Sequence, residues 1–352
     1  MEYKLVEHLT GVSTFAVNEQ QELAIIKDNS FFFKYGEDYI KYHDFPNGTQ
    51  ELKFNYYFYW NCYFGNGYFF RNKKVSALNG SVLRFFSQSQ LQITRVIDDK
   101  TQYYICDLIT KGEKMMRNPT SSYSFFFKEV FFAAEWPARL ILKKVSIIED
   151  KVIWQTDLKT LGKYFKKEYE IIRVIGVHNG ELLVGCSNNV LLAVNHETGE
   201  IIYQWQELEH TGDYRFPKSK IGSYHSALLL PNENKLVGGG NRGLWEINLI
   251  TRAVVVNDLA EEFTKNNINS LTGDKIHSAD DTHLILTAYT NEDPDYFKAF
   301  LVIFALNKKT YKIDWIHNFG TAMTGTERKT EVAGNKLYQL DTDGNLFIFE
   351  NV

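Results

Sequence analysis

Glu181–Gln206, ELLVGCSNNVLLAVNHETGEIIYQWQ, reads as three consecutive β-strands. Leu182–Val184, then Val190, Leu191, Ala193 and Val194, then Ile201, Ile202, Tyr203 and Trp205 are aliphatic, β-branched or aromatic. Such side chains suit a pleated, largely buried surface. The runs are too short for helices and are bounded by turn residues. Asn188-Asn189 can adopt the positive φ of a tight hairpin. His196-Glu197-Thr198-Gly199 makes the second turn, with Gly199 supplying the left-handed conformation. A sheet of this size is marginal alone, so its faces need cover.

Copies of the stretch supply that cover. Lys235–Gly240 repeats the first strand fifty-three residues on, from Leu183 to Leu236. Gly243–Asn248 matches the second strand, and Thr251-Arg252 stands where Thr198-Gly199 stood. Leu301–Asn307, Thr310 and Trp315 repeat strand, turn and strand; Glu149–Trp154 keeps the end of the pattern. Lys336–Leu340, the Asp341–Gly344 turn and Asn345–Phe349 give a last hairpin. A period near about 50 residues with several strands per unit is the signature of propeller blades. The expectation is an all-β fold over residues 1–352. It is a single seven-bladed β-propeller of four-stranded antiparallel blades, with six or eight blades as alternatives. The last blade, 327–352, lacks an outer strand, and the N-terminal segment is expected to close it, removing an exposed edge.

Ala193-Val194-Asn195-His196-Glu197-Thr198-Gly199 with an aromatic at Tyr203 resembles the quinoprotein (PQQ-type) propeller repeat, A-x-D-x-x-T-G-x-x-x-W, within the broader WD-repeat-like superfamily. Ala305-Leu306-Asn307 through Thr310 and Trp315 is similar, at the same spacing. The match spans roughly 140–352. Asn replaces Asp at 195, 248 and 307, Tyr replaces Trp at 203, and Tyr311 stands where the repeat has Gly. The motif is one of packing. It implies the fold and no quinone, so no cofactor is expected.

The chain has 352 residues and a net charge of −4, which argues against a nucleic-acid partner. Cys62, Cys106 and Cys186 show no paired spacing, which argues against a disulfide frame or a zinc knot. The first twenty residues lack the apolar core of an export signal. No run approaches the length of a membrane span. A cytoplasmic location follows as an expectation, without a membrane partner.

Blade one reads as Glu22–Lys27, Ser30–Tyr35 and Tyr39–Tyr42. Phe54–Cys62, Gly67–Arg71, Lys74–Leu78, Val82–Phe86 and Tyr103–Ile109 are further strands, and Phe125–Ala133, Arg139–Ile148 and Val152–Asp157 form the next blade. Between blades, KTLGKYFKKEY (159–169) and AEEFTKNN (260–267) suit short helices, the second with Asp258 as N-cap candidate and Glu261 three residues on. The connections ELEHTGDYRFPKSKIG and NFGTAMTGTE are expected to emerge on one face, where loops on a rigid scaffold carry function.

Tyr224-His225-Ser226-Ala227 and Ile276-His277-Ser278-Ala279 form a repeated pair near innermost strands. His225 and His277 admit two readings: a polar site at the channel mouth, or histidines hydrogen-bonded within their blades. His277, Asp280, Asp281 and His283 are types that zinc accepts, but Ala279–Thr282 reads as a hairpin turn, so no metal is expected. Lys159, Lys163, Lys166 and Lys167 read as a docking patch or as a solvated helix face. Gly238–Gly240 is strand packing, since no Lys-Ser/Thr helix follows it.

No catalytic constellation is present. The expected function is therefore non-catalytic: a binding protein whose inter-blade loops hold a macromolecular partner, a protein, as an adaptor or toxin inhibitor would. Tyr214, Phe216 and Arg328 in those loops join His225 and His277 as candidate binding residues. The alternative is a small-molecule or enzymatic site at the channel mouth.

Overall fold

The computed structural model describes residues 1–17, 21–28, 30–41, 56–58, 62–65, 68–71, 74–75, 80–85, 90–107, 110, 112–118, 125–134, 139–158, 170–187, 190–205, 226–240, 242–273, 275–290, 300–322 and 329–352. For 56–91, and at 31, 35, 126, 321 and 322, it describes the backbone alone.

The described strands form seven antiparallel sheets, and the fold is a seven-bladed β-propeller. β1 (Tyr3–Leu9) pairs with the C-terminal strands. β2–β5 (Val12–Val17, Leu23–Lys27, Ser30–Tyr35, Asp38–Lys41) form one four-stranded sheet. β6–β13 (Tyr56–Phe58, Cys62–Gly65, Tyr68–Arg71, Lys74–Val75, Gly80–Phe85, Gln90–Ile97, Lys100–Asp107, Glu113–Met116) form an eight-stranded one. It is continuous through the β9–β10 pairs Val75–Gly80 and Lys74–Ser81. β14–β17 (Phe125–Phe127, Val130–Ala134, Ile141–Ser146, Lys151–Asp157), β18–β21 (Ile171–His178, Glu181–Cys186, Val190–Asn195, Ile201–Trp205) and β22–β25 (Leu228–Leu230, Lys235–Gly240, Gly243–Asn248, Val254–Asp258) each have four strands. After the helix α1 (Ala260–Lys265) come β26–β30 (Ile268–Leu271, His277–Ser278, His283–Thr290, Phe300–Asn307, Ile313–Ala322). Here β26 and β27 both pair with β28, so one inner strand is split in two. β31–β33 (Lys329–Ala333, Lys336–Leu340, Leu346–Asn351) complete the chain.

The chain divides into two compact units. The first is Met1 with Thr120–Met323 and holds the sheets from β14 to β30. The second is Glu2–Pro119 with Thr324–Val352 and holds the others.

In the first unit the sheets are buried on both faces, so their central strands read as continuous apolar runs. Side chains still alternate. Leu182, Val184, Val190, Leu192 and Val194 pack with Phe132, Leu142 and Val174 against the preceding sheet. Leu183, Leu191 and Ala193 pack with Leu236, Trp245 and Ile247 of the next. Burying each such side chain contributes about 1.5–3 kcal/mol. Gly238 lies under the Trp245 indole: a Cβ there would sit 1.9 Å from Cζ2. That is why position 238 is glycine, and at Gly239 a Cβ would meet Leu271 Cδ1 at 2.7 Å.

The turns after the third strands repeat one device. Asn195 Oδ1 accepts from the N–H groups of Glu197 (2.9 Å) and Thr198 (3.1 Å). Asn248 holds Ile250 (3.0 Å) and Thr251 (2.8 Å) in the same way, and Asn307 holds Lys309 (3.0 Å) and Thr310 (3.2 Å). Only the Oδ1 acceptor is needed, so Asn serves as well as Asp. Each turn then passes through a left-handed residue: Gly199 (φ 78°), Arg252 (φ 66°) or Tyr311 (φ 54°). Gly199 faces Trp154 of the preceding sheet, and a Cβ there would meet Cε3 at 2.6 Å. Arg252 lies instead over the smaller Tyr203 and over Trp205, each 5.5 Å away, and pairs bidentately with Glu181. Tyr311 reaches the preceding sheet to donate its hydroxyl to Glu246 (2.7 Å). These contacts offset the roughly 1–2 kcal/mol that a left-handed non-glycine residue costs.

In the second unit β1 pairs with β33 from Tyr3–Asn351 to Leu9–Leu346, so the N-terminal segment does complete the C-terminal sheet. Glu7 of β1 forms an ion pair with Lys34 of β4. Val12, Phe15, Leu23 and Ile25 pack on Tyr338, Leu340, Leu346 and Ile348.

Several expectations are redrawn. Phe125–Ala133, read as one strand, is the hairpin β14–β15, turning at Lys128 (φ 55°). β11, β13 and β18 were not anticipated, their apolar runs being broken by residues such as Gln92, Lys114 and Arg173. The loop expected from Asn318 is strand as far as Ala322. α1 begins two residues after the proposed cap, with Leu259 at the N-cap and Asp258 Oδ1 accepting from Ala260 N–H at 2.8 Å. The helix expected over 159–169 lies outside the described residues. Among the described residues no helix is long and apolar enough to cross a membrane.

Gly199→Ala is expected to lower stability by about 2–4 kcal/mol in urea unfolding, combining backbone strain with overpacking on Trp154. In a background combining Trp154→Val with Thr156→Ala, which removes both side chains that a Cβ at 199 would meet, the same change should cost only about 1 kcal/mol, the backbone part. Equal costs in both backgrounds would show that these side chains do not set the glycine.

Candidate functional site

In each sheet of the first unit the second and fourth strands end, and the first and third begin, at one rim. The connections 159–169, 206–225, 291–299 and 323–328 all leave from it.

The described part of this rim is braced by hydrogen bonds. Arg139 and Glu170 form an ion pair, and Ile171 N–H donates to Arg139 O at 2.8 Å. Glu170 N–H donates to Ser187 Oγ (3.0 Å), while Ser187 N–H donates to Glu170 O (2.8 Å). Arg242 donates to Ala260 O (3.2 Å) and to Thr264 Oγ1 (3.0 Å), fixing α1 to β24. Ser226 Oγ accepts from Gly239 N–H (3.0 Å) and donates to Gly239 O (3.2 Å), anchoring the chain where 206–225 returns. Phe300 N–H donates to Thr290 Oγ1 (3.1 Å), holding together the strand ends on either side of 291–299. The rim is thus a rigid frame for the connections it carries. Sequence reasoning missed these braces, because Arg139–Glu170 and Arg242–Thr264 join residues with no motif or spacing in common.

Of the candidate binding residues, Tyr214, Phe216, His225 and Arg328 lie outside the described residues. His277 is described. It sits in β27 opposite Ile285, beyond Gly273 (φ 81°) and close to the 279–282 hairpin, so it belongs to the half of the inner strand farther from the rim. The residue is 8% exposed. Burial, with the charge of Lys275 adding to it, pushes its pKa down to about 3. His277 is therefore neutral in the fold at ordinary pH.

Asp280 and His283 do not converge with His277. Asp280 Oδ1 caps the hairpin, accepting from the N–H groups of Thr282 (2.6 Å) and His283 (2.7 Å). The His283 ring lies between Asp280 (3.2 Å) and Asp314 (2.9 Å). Burial raises the Asp280 pKa, but the hydrogen bonds from Thr282 and His283 outweigh it and hold it below its ordinary value. The bond from His283, then that from Asn307, lowers Asp314. Among the described residues no three His, Cys, Asp or Glu side chains group as a metal centre. Lys159, Lys163, Lys166 and Lys167 lie outside the described residues. Burial raises the Cys106 and Cys186 thiols to about 12, so both stay protonated.

No protein-family model and no curated protein matches the chain. Solved structures do. A chain of the mitotic checkpoint complex aligns at TM-score 0.52 and 12% identity, covering 99% of this chain and 92% of that one. The computationally designed protein Ika8 aligns at TM-score 0.55 and 11% identity, covering 99% and 98%. BamB from Moraxella catarrhalis aligns at TM-score 0.42 and 11% identity, covering 100% and 98%. At these identities the likeness concerns the fold alone.

His277 gives a pH dependence. Its folded pKa lies below the ordinary 6.5, so between pH 6.5 and about 3 the unfolded chain binds a proton that the folded chain does not. Its contribution is complete above pH 6.5 and is lost as pH falls, at up to about 1.4 kcal/mol per pH unit. Urea unfolding of the wild type and His277→Gln between pH 7 and about 4 should show the shallower slope in the variant. Parallel slopes would refute a buried neutral imidazole.

Proposed function

We propose that this chain is a non-catalytic, cytoplasmic binding protein. Connections on the braced rim hold a macromolecular partner, a protein, in the manner of an adaptor or a toxin inhibitor. One observation carries the reading: 159–169, 206–225, 291–299 and 323–328 leave one rim whose strand ends are fixed by side-chain bonds. Unlike loops on such a frame present a composite surface at little ordering cost. A propeller fold fits a protein-interaction role, and Tyr214, Phe216 and Arg328 are residue types that dominate interface energetics. The Asn-capped turn and the left-handed residue set on the preceding sheet support placing the repeat with the PQQ-type propellers. The rival reading, a small-molecule or enzymatic site built on His225 and His277, draws no support from His277, whose buried, neutral ring stands away from the rim.

The test is a quantitative pulldown from the native cell, run beside a thermal-shift screen of metabolites and metals. Wild-type chain should retain a stoichiometric protein partner. Tyr214→Ala with Phe216→Ala should weaken retention by roughly tenfold or more, the scale of an interface hot spot, without moving the melting midpoint. A ligand-specific rise in midpoint with no retained protein would reverse the assignment in favour of the small-molecule reading.

A further inference from the structure

In the second unit, β11 and β12 pair along their whole length, from Gln90–Asp107 to Ile97–Lys100. Their neighbours stop short. β10 accompanies β11 only as far as Thr94, and β13 accompanies β12 only from Tyr103. Among the described residues, 95–102 are therefore a two-stranded finger with no flanking strand on either side. Such a ribbon is marginal in water, and this one carries Val96 at 73% and Ile97 at 40% exposure. Met115, on the adjoining edge strand, is 55% exposed.

The tip is a two-residue turn with both residues left-handed, Asp98 (φ 50°) and Asp99 (φ 59°). Asn-Gly or Asp-Gly suits this turn best. Asp-Asp forgoes glycine's freedom and sets two carboxylates side by side, so local stability does not explain the choice. Among the described residues neither carboxylate forms an ion pair. Arg95 is engaged by both oxygens of Glu113, at 2.8 and 2.6 Å. With Lys100 the tip carries a net charge of −1, from two Asp and one Lys.

Resting on the binding reading above, we infer that this finger enters an apolar cleft of the protein partner, whose rim presents Lys or Arg to Asp98 and Asp99. Val96 and Ile97 supply the apolar area. The carboxylates set orientation and speed encounter, as rim charges do. The same charges repel nucleic acid and anionic lipid.

Full-length chain with a benzophenone side chain in place of Val96 is irradiated in native-cell lysate, and the adducts are mapped by mass spectrometry. The expected product is one protein adduct at an apolar peptide flanked by Lys or Arg. Its yield should fall about tenfold when Asp98→Asn and Asp99→Asn are combined, and similarly in about 0.5 M salt, where exposed charges are screened within a few ångströms. Asn tolerates positive φ, so the melting midpoint should not move; if it does, the salt titration on the unsubstituted tip gives the same discrimination. No adduct, an adduct with lipid, nucleic acid or a second copy of this chain, or a yield indifferent to charge and salt would overturn the assignment. If Tyr214-dependent capture persists without an adduct at 96, the finger alone is refuted. If wild-type chain retains no partner, the binding reading falls with it.

Discussion

An asparagine side chain holding two backbone N–H groups is the interaction on which the first unit depends. Asn195, Asn248 and Asn307 each freeze the turn into their outer strand, and the frozen turn projects one left-handed residue at the preceding sheet. Without the cap that residue has no fixed position. With it, each sheet carries a peg and each preceding sheet a seat. Trp154 donates its indole N–H to His196 O at 3.1 Å, and Trp205 to Arg252 O at 3.1 Å. The aromatic thus reads the backbone of the turn as well as its side chain, and the sheets dock in register.

The peg and seat are matched in size. Gly199 meets an indole. Arg252 meets Tyr203 and satisfies Glu181. Four residues after Arg252, where the repeat has its aromatic, stands Val256, and the next peg is the large Tyr311. A degraded repeat is therefore not a weakened one. Where the glycine is lost, the left-handed residue gains a charged or hydroxyl contact, which suits a polar group that burial would otherwise penalise.

This sets what was legible in the sequence. Glu181–Cys186 and Val190–Asn195 are strands to the residue, because burial on both faces makes their limits sharp and the Asn cap marks the turn. Gly238–Gly240 was readable as packing, and the Trp245 ring over Gly238 is the reason. The finger 95–102 was not legible: Arg95 falls on an apolar position and ends the alternation that runs from Gln90 to Thr94, and Asp98-Asp99 lacks the glycine that announces a hairpin. The candidate site is harder still. The repeat dictates what sheets need in order to pack, and the connections carrying Tyr214, Phe216, His225 and Arg328 are free of that demand. The rim braces, such as Arg139 with Glu170, obey no spacing that a sequence displays.

The pairing of β1 with β33 bears on the order of events during synthesis. Tyr3 leaves the ribosome long before its partner Asn351. Until then β1 has no strand to lie on, and β33 offers an open edge. The sheets of the first unit draw all their strands from contiguous sequence and can form while elongation continues. The C-terminal sheet instead requires a contact of nearly maximal sequence separation, the kind that forms slowly. Glu7, paired with Lys34 on β4, gives the waiting strand an earlier foothold, because Lys34 emerges soon after it and far ahead of β33. Translation speed is thus written into the maturation of this one sheet, while the others are indifferent to it.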